Sequence, residues 1–477
     1  MRVALTVLLV TACSGPQRDL FGVSIASASD VDGDGRGDLW IGDPGSEDNE
    51  CVGCGGRVWL VSSRTGKALL EIRAPAEARE FGWTLAAVRD VDGDGFTDLA
   101  VGAQFLASGD IIDAEDEVRT PNSAPSGEGA VYLFSGAQGR LLRSWRGPAE
   151  ATKIPWYSYA AGPALTGVGD WNGDGRGDLA IGWSYATGEA PQQGCVRVVS
   201  GADGALLQEF WGADAHDRFG FALTSIGDAN AEGARALAAS AMPDFAETSE
   251  DCHPNLSRIR PGYIRALSPA GETLFDARSP DECRRFGTSL AWIPSPASAG
   301  GILAVGQCYY DACQPAVHFL AASDGRRLGG FGRPMPGDWE RGSSEAPASR
   351  VTRPVNVSFG SCIVPLHDLD SDGFVDVVVT APQSLCTNPA AVFSSASGEV
   401  LRSVVLAPPR GVGDRSGYPS HVGIAALPTG DLDEDGFDDF AIGGSSLRCS
   451  PGACAGAVVL YSGADGRTLR WFMRELL

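Results

Sequence analysis

Asp30-Val31-Asp32-Gly33-Asp34-Gly35-Arg36-Gly37-Asp38, followed at once by Leu39-Trp40-Ile41-Gly42, is the stretch on which the reading of this chain turns. Carboxylates at positions 1, 3, 5 and 9 of such a loop converge on one point, and the main-chain carbonyl at position 7, here Arg36, turns the same way. Glycine at position 6 permits the sharp bend. The result is a hard oxygen cage suited to Ca2+. The loop recurs at Asp90, Asp92, Asp94, Phe96 and Asp98, and at Asp170, Asn172, Asp174, Arg176 and Asp178. It recurs again at Asp368, Asp370, Asp372, Phe374 and Asp376, and at Asp431, Asp433, Asp435, Phe437 and Asp439. An EF-hand needs a bidentate Glu at position 12 and flanking helices. Position 12 here is Ile41, Val101, Ile181, Val379 or Ile442, and the flanks read as strands. Asp-Gly turns without metal would leave nineteen carboxylates repelling one another in five small loops. About five Ca2+ sites are therefore expected.

Outward from each loop lies a longer repeat. Eight residues before the loop stands a glycine, usually after Phe: Gly22, Gly82, Gly162, Gly220, Gly287, Gly360 and Gly423. Adding eight gives Asp in six of seven cases, the exception being Ser295. The mean period is about 67 residues, longer than common propeller repeats. A second motif follows in each repeat, clearest in Gly129-Ala130-Val131-Tyr132-Leu133-Phe134-Ser135-Gly136 and Gly456-Ala457-Val458-Val459-Leu460-Tyr461-Ser462-Gly463. A turn such as Gly201-Ala202-Asp203-Gly204 and another apolar stretch come next, which is a hairpin signal. Each repeat thus holds about four short strands. Four-stranded units with one apolar face bury one another when arranged radially. The chain is read as all-β, a seven-bladed β-propeller of four-stranded antiparallel blades with calcium-binding hairpin loops. Residues 21–477 form it, from an innermost strand at Phe21 to an outermost one at Thr468–Met473, with closure expected blade against blade. Two loops have decayed. Asp228-Ala229-Asn230-Ala231-Glu232 has Ala236 at position 9, and Pro294–Gly301 carries no acid.

Composition agrees. Hydrophobic residues make 43% of 477, enough for a large core, while Gly 63 and Pro 29 are spread along the chain as turn formers. The net charge of −23 repels phosphate backbones, so nucleic acid is not an expected partner. Five Ca2+ would bring that charge to −13.

Residues 1–12 read as an export signal. Arg2 precedes an apolar run, and Val10-Thr11-Ala12-Cys13 resembles the lipobox of bacterial lipoproteins, with Cys13 lipidated and residues 13–20 a tether. An ordinary signal peptide or a misplaced start codon are the alternatives. Either way export to the cell envelope or beyond is expected, with membrane contact only through the lipid. Close cysteine pairs, Cys51 with Cys54, Cys308 with Cys313 and Cys449 with Cys454, each stand without a second pair nearby, so disulfides are preferred to zinc. Cys252 with Cys283 and Cys362 with Cys386 are weaker pairings. Cys195 takes the place of Ala in other repeats and reads as a small buried thiol.

Phe-Gly, the D-x-D-x-D-G-x-x-D hairpin and the Gly-Ala-Val strand together resemble the FG-GAP repeat of integrin alpha subunits and of many bacterial secreted proteins, over residues 21 to 473. The resemblance implies a calcium-bearing propeller used in adhesion or protein recognition. Blade 5 departs from the pattern, and no thigh-like domain or membrane helix follows. Arg36-Gly37-Asp38 and Arg176-Gly177-Asp178 imitate cell-adhesion tripeptides, but both fill positions 7 to 9 of calcium loops.

Strand alternation puts the calcium hairpins and the Ser-Gly-Ala-Asp-Gly turns on one face. The long segments Gln104 to Gly127, Trp183 to Gln193, Pro243 to Pro261 and Gly332 to Asn356 fall on the other. Aromatics near that face, Trp156, Tyr157, Tyr159, Trp183, Tyr185, Trp211, Tyr309, Tyr310 and Trp339, are candidate contacts for a protein or glycan partner. Packing between blades is the competing use. The five histidines, His216, His253, His318, His367 and His421, form no metal or triad motif, and no GxSxG, HExxH or phosphate loop occurs. The expected function is non-catalytic recognition by a calcium-stabilised, surface-tethered propeller. The alternatives are a polysaccharide-active lyase or hydrolase on the same scaffold, and a structural subunit of an envelope assembly.

Overall fold

The computed structural model describes residues 17–18, 20–44, 55–106, 129–148, 163–227, 236–243, 260–280, 283, 285–295, 298, 300–308, 316–332, 359–381, 390–404, 422–450 and 453–474. Among these residues every sheet holds four strands consecutive in sequence and antiparallel, apart from one addition to the last. Blade 1 is Ile25–Ser27, Leu39–Asp43, Arg57–Val61 and Ala68–Arg73, and blade 2 is Ala78–Val88, Asp98–Leu106, Ala130–Phe134 and Leu141–Arg146. Blade 3 is Ala164–Gly169, Asp178–Trp183, Cys195–Val199 and Leu206–Trp211, and blade 4 is Phe219–Ile226, Ala236–Ala241, Tyr263–Leu267 and Thr273–Arg278. Blade 5 is Phe286–Ile293, Ile302–Gln307, Ala316–Ala321 and Arg327–Gly332, and blade 6 is Ile363–Pro365, Val377–Thr380, Ala390–Phe393 and Val400–Val404. Blade 7 is Val422–Gly430, Asp439–Ser450, Ala453–Tyr461 and Thr468–Phe472. The fold is a seven-bladed β-propeller.

Burial follows position within the blade. The second strand is buried along its whole length in blades 1, 3, 4 and 6, because neighbouring blades cover both its faces. That is why these strands read as unbroken runs such as Leu39-Trp40-Ile41. The outermost strand meets solvent and alternates, as Leu141–Arg146 does. Phe21, Phe81, Phe219, Phe286 and Phe359 of the Phe-Gly motifs are all fully buried. Phe81 packs edge-on against Tyr132 and Phe134 at centroid distances of 5.9 and 5.8 Å. The decayed loop of blade 5 is replaced by an indole bond, in which Trp292 Nε1 donates to the Gly300 carbonyl at 2.8 Å.

The first strands touch in an unbroken circle, each blade on the next and blade 7 back on blade 1. Among the described residues blades 7 and 1 share none of their four strands. The joint instead repeats the contacts of the internal seams. A Cβ on Gly182 would lie 2.2 Å from the Gly220 carbonyl of the following blade, and one on Gly443 would lie 2.2 Å from the Gly22 carbonyl. At the rim, Arg402 Nε donates to the Ala464 carbonyl of the next blade at 2.6 Å. Arg470 of blade 7 reaches the Thr65 carbonyl of blade 1 in the same way at 3.0 Å. One detail differs from expectation. Gln17–Arg18, inside the stretch read as a tether, pairs in parallel with Ala453–Cys454 and widens the blade 7 sheet.

Candidate metal centre

In the structure the nine-residue acidic loops join the first and second strands of blades 1, 2, 3, 6 and 7. Strands flank every one, so the EF-hand is excluded. One hydrogen-bond pattern builds them all. Asp at position 1 turns its carboxylate inward and accepts from the amide at position 6, as Asp30 Oδ2 does from Gly35 N at 2.7 Å and Asp431 Oδ2 from Gly436 N at 2.9 Å. Asp at position 9 accepts from the amide at position 2. The bonds run from Val31 N to Asp38 Oδ2 at 2.9 Å, Trp171 N to Asp178 Oδ2 at 2.8 Å and Leu369 N to Asp376 Oδ2 at 2.7 Å. Position 4 must be left-handed. Gly33, Gly93 and Gly173 supply φ of 75°, 84° and 82°, whereas Ser371 and Glu434 adopt 64° with a side chain in place.

Of the four expected carboxylates, those at positions 1, 3 and 9 converge. One oxygen from each of Asp30, Asp32 and Asp38 lies within 4.8 Å of the others. The same holds for Asp90, Asp92 and Asp98, for Asp368, Asp370 and Asp376, and for Asp431, Asp433 and Asp439. In blade 3 the second carboxylate is replaced by Asn172, whose amide donates to Asp174 Oδ2 at 2.9 Å. Asp38 is 2% exposed and Asp376 0%. Asp34 Oδ2 and Asp433 Oδ1, at positions 5 and 3 of their loops, are buried with no hydrogen-bond partner. Buried carboxylate oxygens aimed into a cluster of acids are costly unless a cation meets them. Burial shows in their acidity. The position-9 carboxyls of Asp38, Asp98, Asp178, Asp376 and Asp439 are each pushed up to about 6. The donor set, all oxygen and mostly carboxylate, fits a hard divalent cation.

The turns between third and fourth strands complete the loops, confirming that both lie on one face. Ser135 Oγ donates to Asp94 Oδ2 at 3.2 Å, and Gly136 N to Asp98 Oδ1 at 2.9 Å. In blade 7, Ser462 and Gly463 bond Asp435 and Asp439 likewise, at 3.2 and 3.0 Å. Arg140 and Arg467 clasp the outer oxygens of Asp92 and Asp433, at 3.1 and 2.6 Å. These residues were missed in the sequence, although the recurring Ser-Gly at each strand end is their signal.

The Arg-Gly-Asp stretches are not presented to a partner. Asp38 and Asp178 are buried. Arg36 turns instead to the loop of blade 7, where Nη1 donates to the Asp431 carbonyl at 3.1 Å and Nη2 to Glu434 Oε1 at 2.7 Å. His367 flanks the acidic loop of blade 6, and its Nδ1 stands 2.5 Å from Asp438 of the next blade.

Two of the candidate contact aromatics are corrected. Trp183 and Tyr185 are 6% and 4% exposed, and both belong to the blade packing. Trp183 lies against Gly129 and Gly147 of blade 2, and the Arg218 guanidinium covers Tyr185 at 4.6 Å. Their segment, Trp183 to Gln193, is a clamp rather than a free loop. Its Gln192 and Gln193 carbonyls accept from Arg218 N and Phe219 N, each at 3.1 Å, at the start of blade 4. Trp211 is half-buried, its indole bonded to Glu209 at 3.1 Å. Trp156, Tyr157, Tyr159, Tyr309, Tyr310 and Trp339 lie outside the described residues, as do Cys13, Cys51, Cys54, Cys252, Cys313 and Cys386. Cys195 is buried as expected, and burial pushes its thiol up to about 12. Cys449 and Cys454 are Cα partners across adjacent strands.

At the opposite end of blade 2, Glu80 precedes Phe81-Gly82 with a left-handed φ of 53°. Burial pushes its carboxyl up to about 7.

Comparison with known proteins agrees with this geometry. The FG-GAP repeat family matches residues 81–134, which is most of blade 2. Integrin alpha-4 of Xenopus laevis is 29% identical over 167 residues, 34% of this chain and 14% of that protein. Phosphatidylinositol-glycan-specific phospholipase D of Bos taurus is 26% identical over 407 residues, 78% of this chain and 44% of that protein. Among solved structures, rhamnogalacturonan lyase YesW aligns with 96% of this chain and 71% of its own, at 16% identity and a TM-score of 0.42. The chain spans less than half the length of these two curated relatives. It is a seven-bladed β-propeller that carries an FG-GAP repeat in blade 2 and is similar in part to integrin alpha subunits.

Proposed function

We propose that the protein is an exported, calcium-stabilised recognition propeller, held at the cell surface through Cys13, that binds a protein or glycan with the face opposite its calcium loops. The convergence of carboxylates in four loops, each with a buried aspartate at position 9, carries this reading, and the blade 3 loop shares their build. Calcium there would be held by the carboxylates at positions 1, 3, 5 and 9 and the carbonyl at position 7. It would supply the charge that lets five acidic hairpins sit side by side on one face. That face is short and repetitive, which leaves recognition to the variable connections at the other end. Similarity to integrin alpha subunits supports a ligand-binding role.

The test is a glycan array and a pull-down against envelope and extracellular-matrix material, run with calcium and again in chelator. Calcium-dependent capture of one ligand class is expected. Absence of any ligand in both conditions would remove the recognition reading.

The catalytic alternative has one observation in its favour. Glu80 lies outside the calcium loops, and burial keeps its carboxyl protonated up to about pH 7, as a general acid requires. Polysaccharide cleavage that disappears in Glu80→Gln, with the fold intact, would establish it.

A further inference from the structure

The acidic loops are not independent. Residues at position 7 lean across the seam onto the loop of the preceding blade, and their chemistry differs from seam to seam. Arg36 of blade 1 is 13% exposed, and its guanidinium grips blade 7 at the Asp431 carbonyl and at Glu434. Asp431 holds position 1 of the blade 7 site. Glu434 holds position 4, where it keeps a left-handed φ of 64° in place of the glycine found in blades 1, 2 and 3. An L-residue there is strained, and here its carboxylate is the one Arg36 binds. Arg176 of blade 3 does the corresponding thing to blade 2. Its Nη1 lies 3.9 Å from Asp90 Oδ1, at position 1 of that site. A Cβ on Gly93 would stand 2.5 Å from the same Nη1, so the guanidinium rests directly on the loop.

Among the described residues the other seams lack an arginine link of this kind, and between blades 6 and 7 the polar contact is His367 with Asp438, neither of them a ligand. Phe437, at position 7 of blade 7, packs into the apolar cluster between blades 6 and 7. Between blades 1 and 2 the hydrogen bond runs from Ser29 to Thr97 at 2.9 Å, and neither residue is a ligand.

We propose that Arg36 and Arg176 couple the calcium sites in two pairs, blade 7 with blade 1 and blade 2 with blade 3. Filling one member then raises the affinity of the other. The inference rests on the calcium reading above. Its basis is that one residue serves both sites. The main-chain carbonyl of Arg36 belongs to the blade 1 cage, while its side chain fixes the first ligand residue of blade 7. Ordering that residue for one cation orders it for both, so the ordering cost is incurred once, which is positive cooperativity. Blade 6 follows a blade without an acidic loop and carries Phe374 at position 7, so its site stands outside both pairs.

The experiment is calcium titration of the calcium-depleted full chain by calorimetry. Asp34→Asn disables the blade 1 site. In the wild-type background it should remove one site and weaken a second by about fivefold or more. In an Arg36→Ala background it should remove one site and leave the others as they are in Arg36→Ala alone. Glu434→Gly, which relieves the strained backbone while removing half of the bridge, should reduce the coupling without loss of fold. Four sites of unchanged affinity after Asp34→Asn in the wild-type background would overturn the coupling and leave the calcium reading standing. No calcium uptake by the wild-type chain would remove both.

Discussion

Gly443, on the second strand of the last blade, faces the carbonyl of Gly22, on the first, so closely that a Cβ would stand 2.2 Å from that oxygen. Ring closure therefore depends on a missing side chain. Gly443→Ala must push the two blades apart, and a loss of about 1–3 kcal/mol is expected, as for other overpacking changes. Gly329, on the outer strand of blade 5, has nothing within 4 Å of the added carbon. Gly329→Ala should be close to neutral. Denaturant unfolding of both variants checks the contrast, and equal effects would contradict the closure described.

Calcium should hold the fold by mass action. Removing it should lower the melting temperature, since a ligand bound only by the folded state stabilises that state. Asp435→Ala should delete the blade 7 site and shrink the calcium-dependent shift without abolishing it. A melting curve that ignores both calcium and excess chelator would count against the metal centre.

The acidity of the loops gives that shift a pH dependence. In the calcium-free fold the position-9 carboxyls are raised by burial from 3.8 to about 6. Folded chains then hold these protons more tightly than unfolded ones. Their contribution to stability is fully present below about pH 4 and is lost as pH rises through about 6. Calcium binds only the ionised form. The melting-temperature gap between calcium-loaded and calcium-depleted protein should therefore widen between pH 4 and pH 6.5. Thermal scans of dialysed protein across that range measure it.

Soluble Arg-Gly-Asp peptide should not compete with any partner of this protein, because Asp38 and Asp178 face inward. At saturating calcium, Arg36→Lys should likewise leave partner capture intact, although it alters calcium affinity. Competition assays on the ligand found by pull-down decide the matter.

The architecture was legible in the sequence because its signals are local. Phe-Gly, the nine-residue acidic loop and Gly-Ala-Val each specify a bend or a strand within a dozen residues, and all seven blades were placed from them. Loop ligands such as Asp30 and Asp439 were legible for the same reason. What the sequence did not yield depends on neighbours distant along the chain. Trp183 and Tyr185 look like exposed loop aromatics until blades 2 and 4 close over them. Arg36 looks like half of an adhesion tripeptide until blade 7, almost 400 residues later, supplies Asp431 and Glu434. Ser135 and Gly136 look like an ordinary turn until the hairpin beside them presents Asp94 and Asp98.

The seam between the last and first blades uses the same glycine approach and rim arginine as the joints inside the chain. By these contacts the closing joint resembles the internal ones. A chain reopened between two other blades, with its present ends spliced together, has the same set of interfaces to satisfy, and its sheets could be rotated in gene order without altering what each one touches.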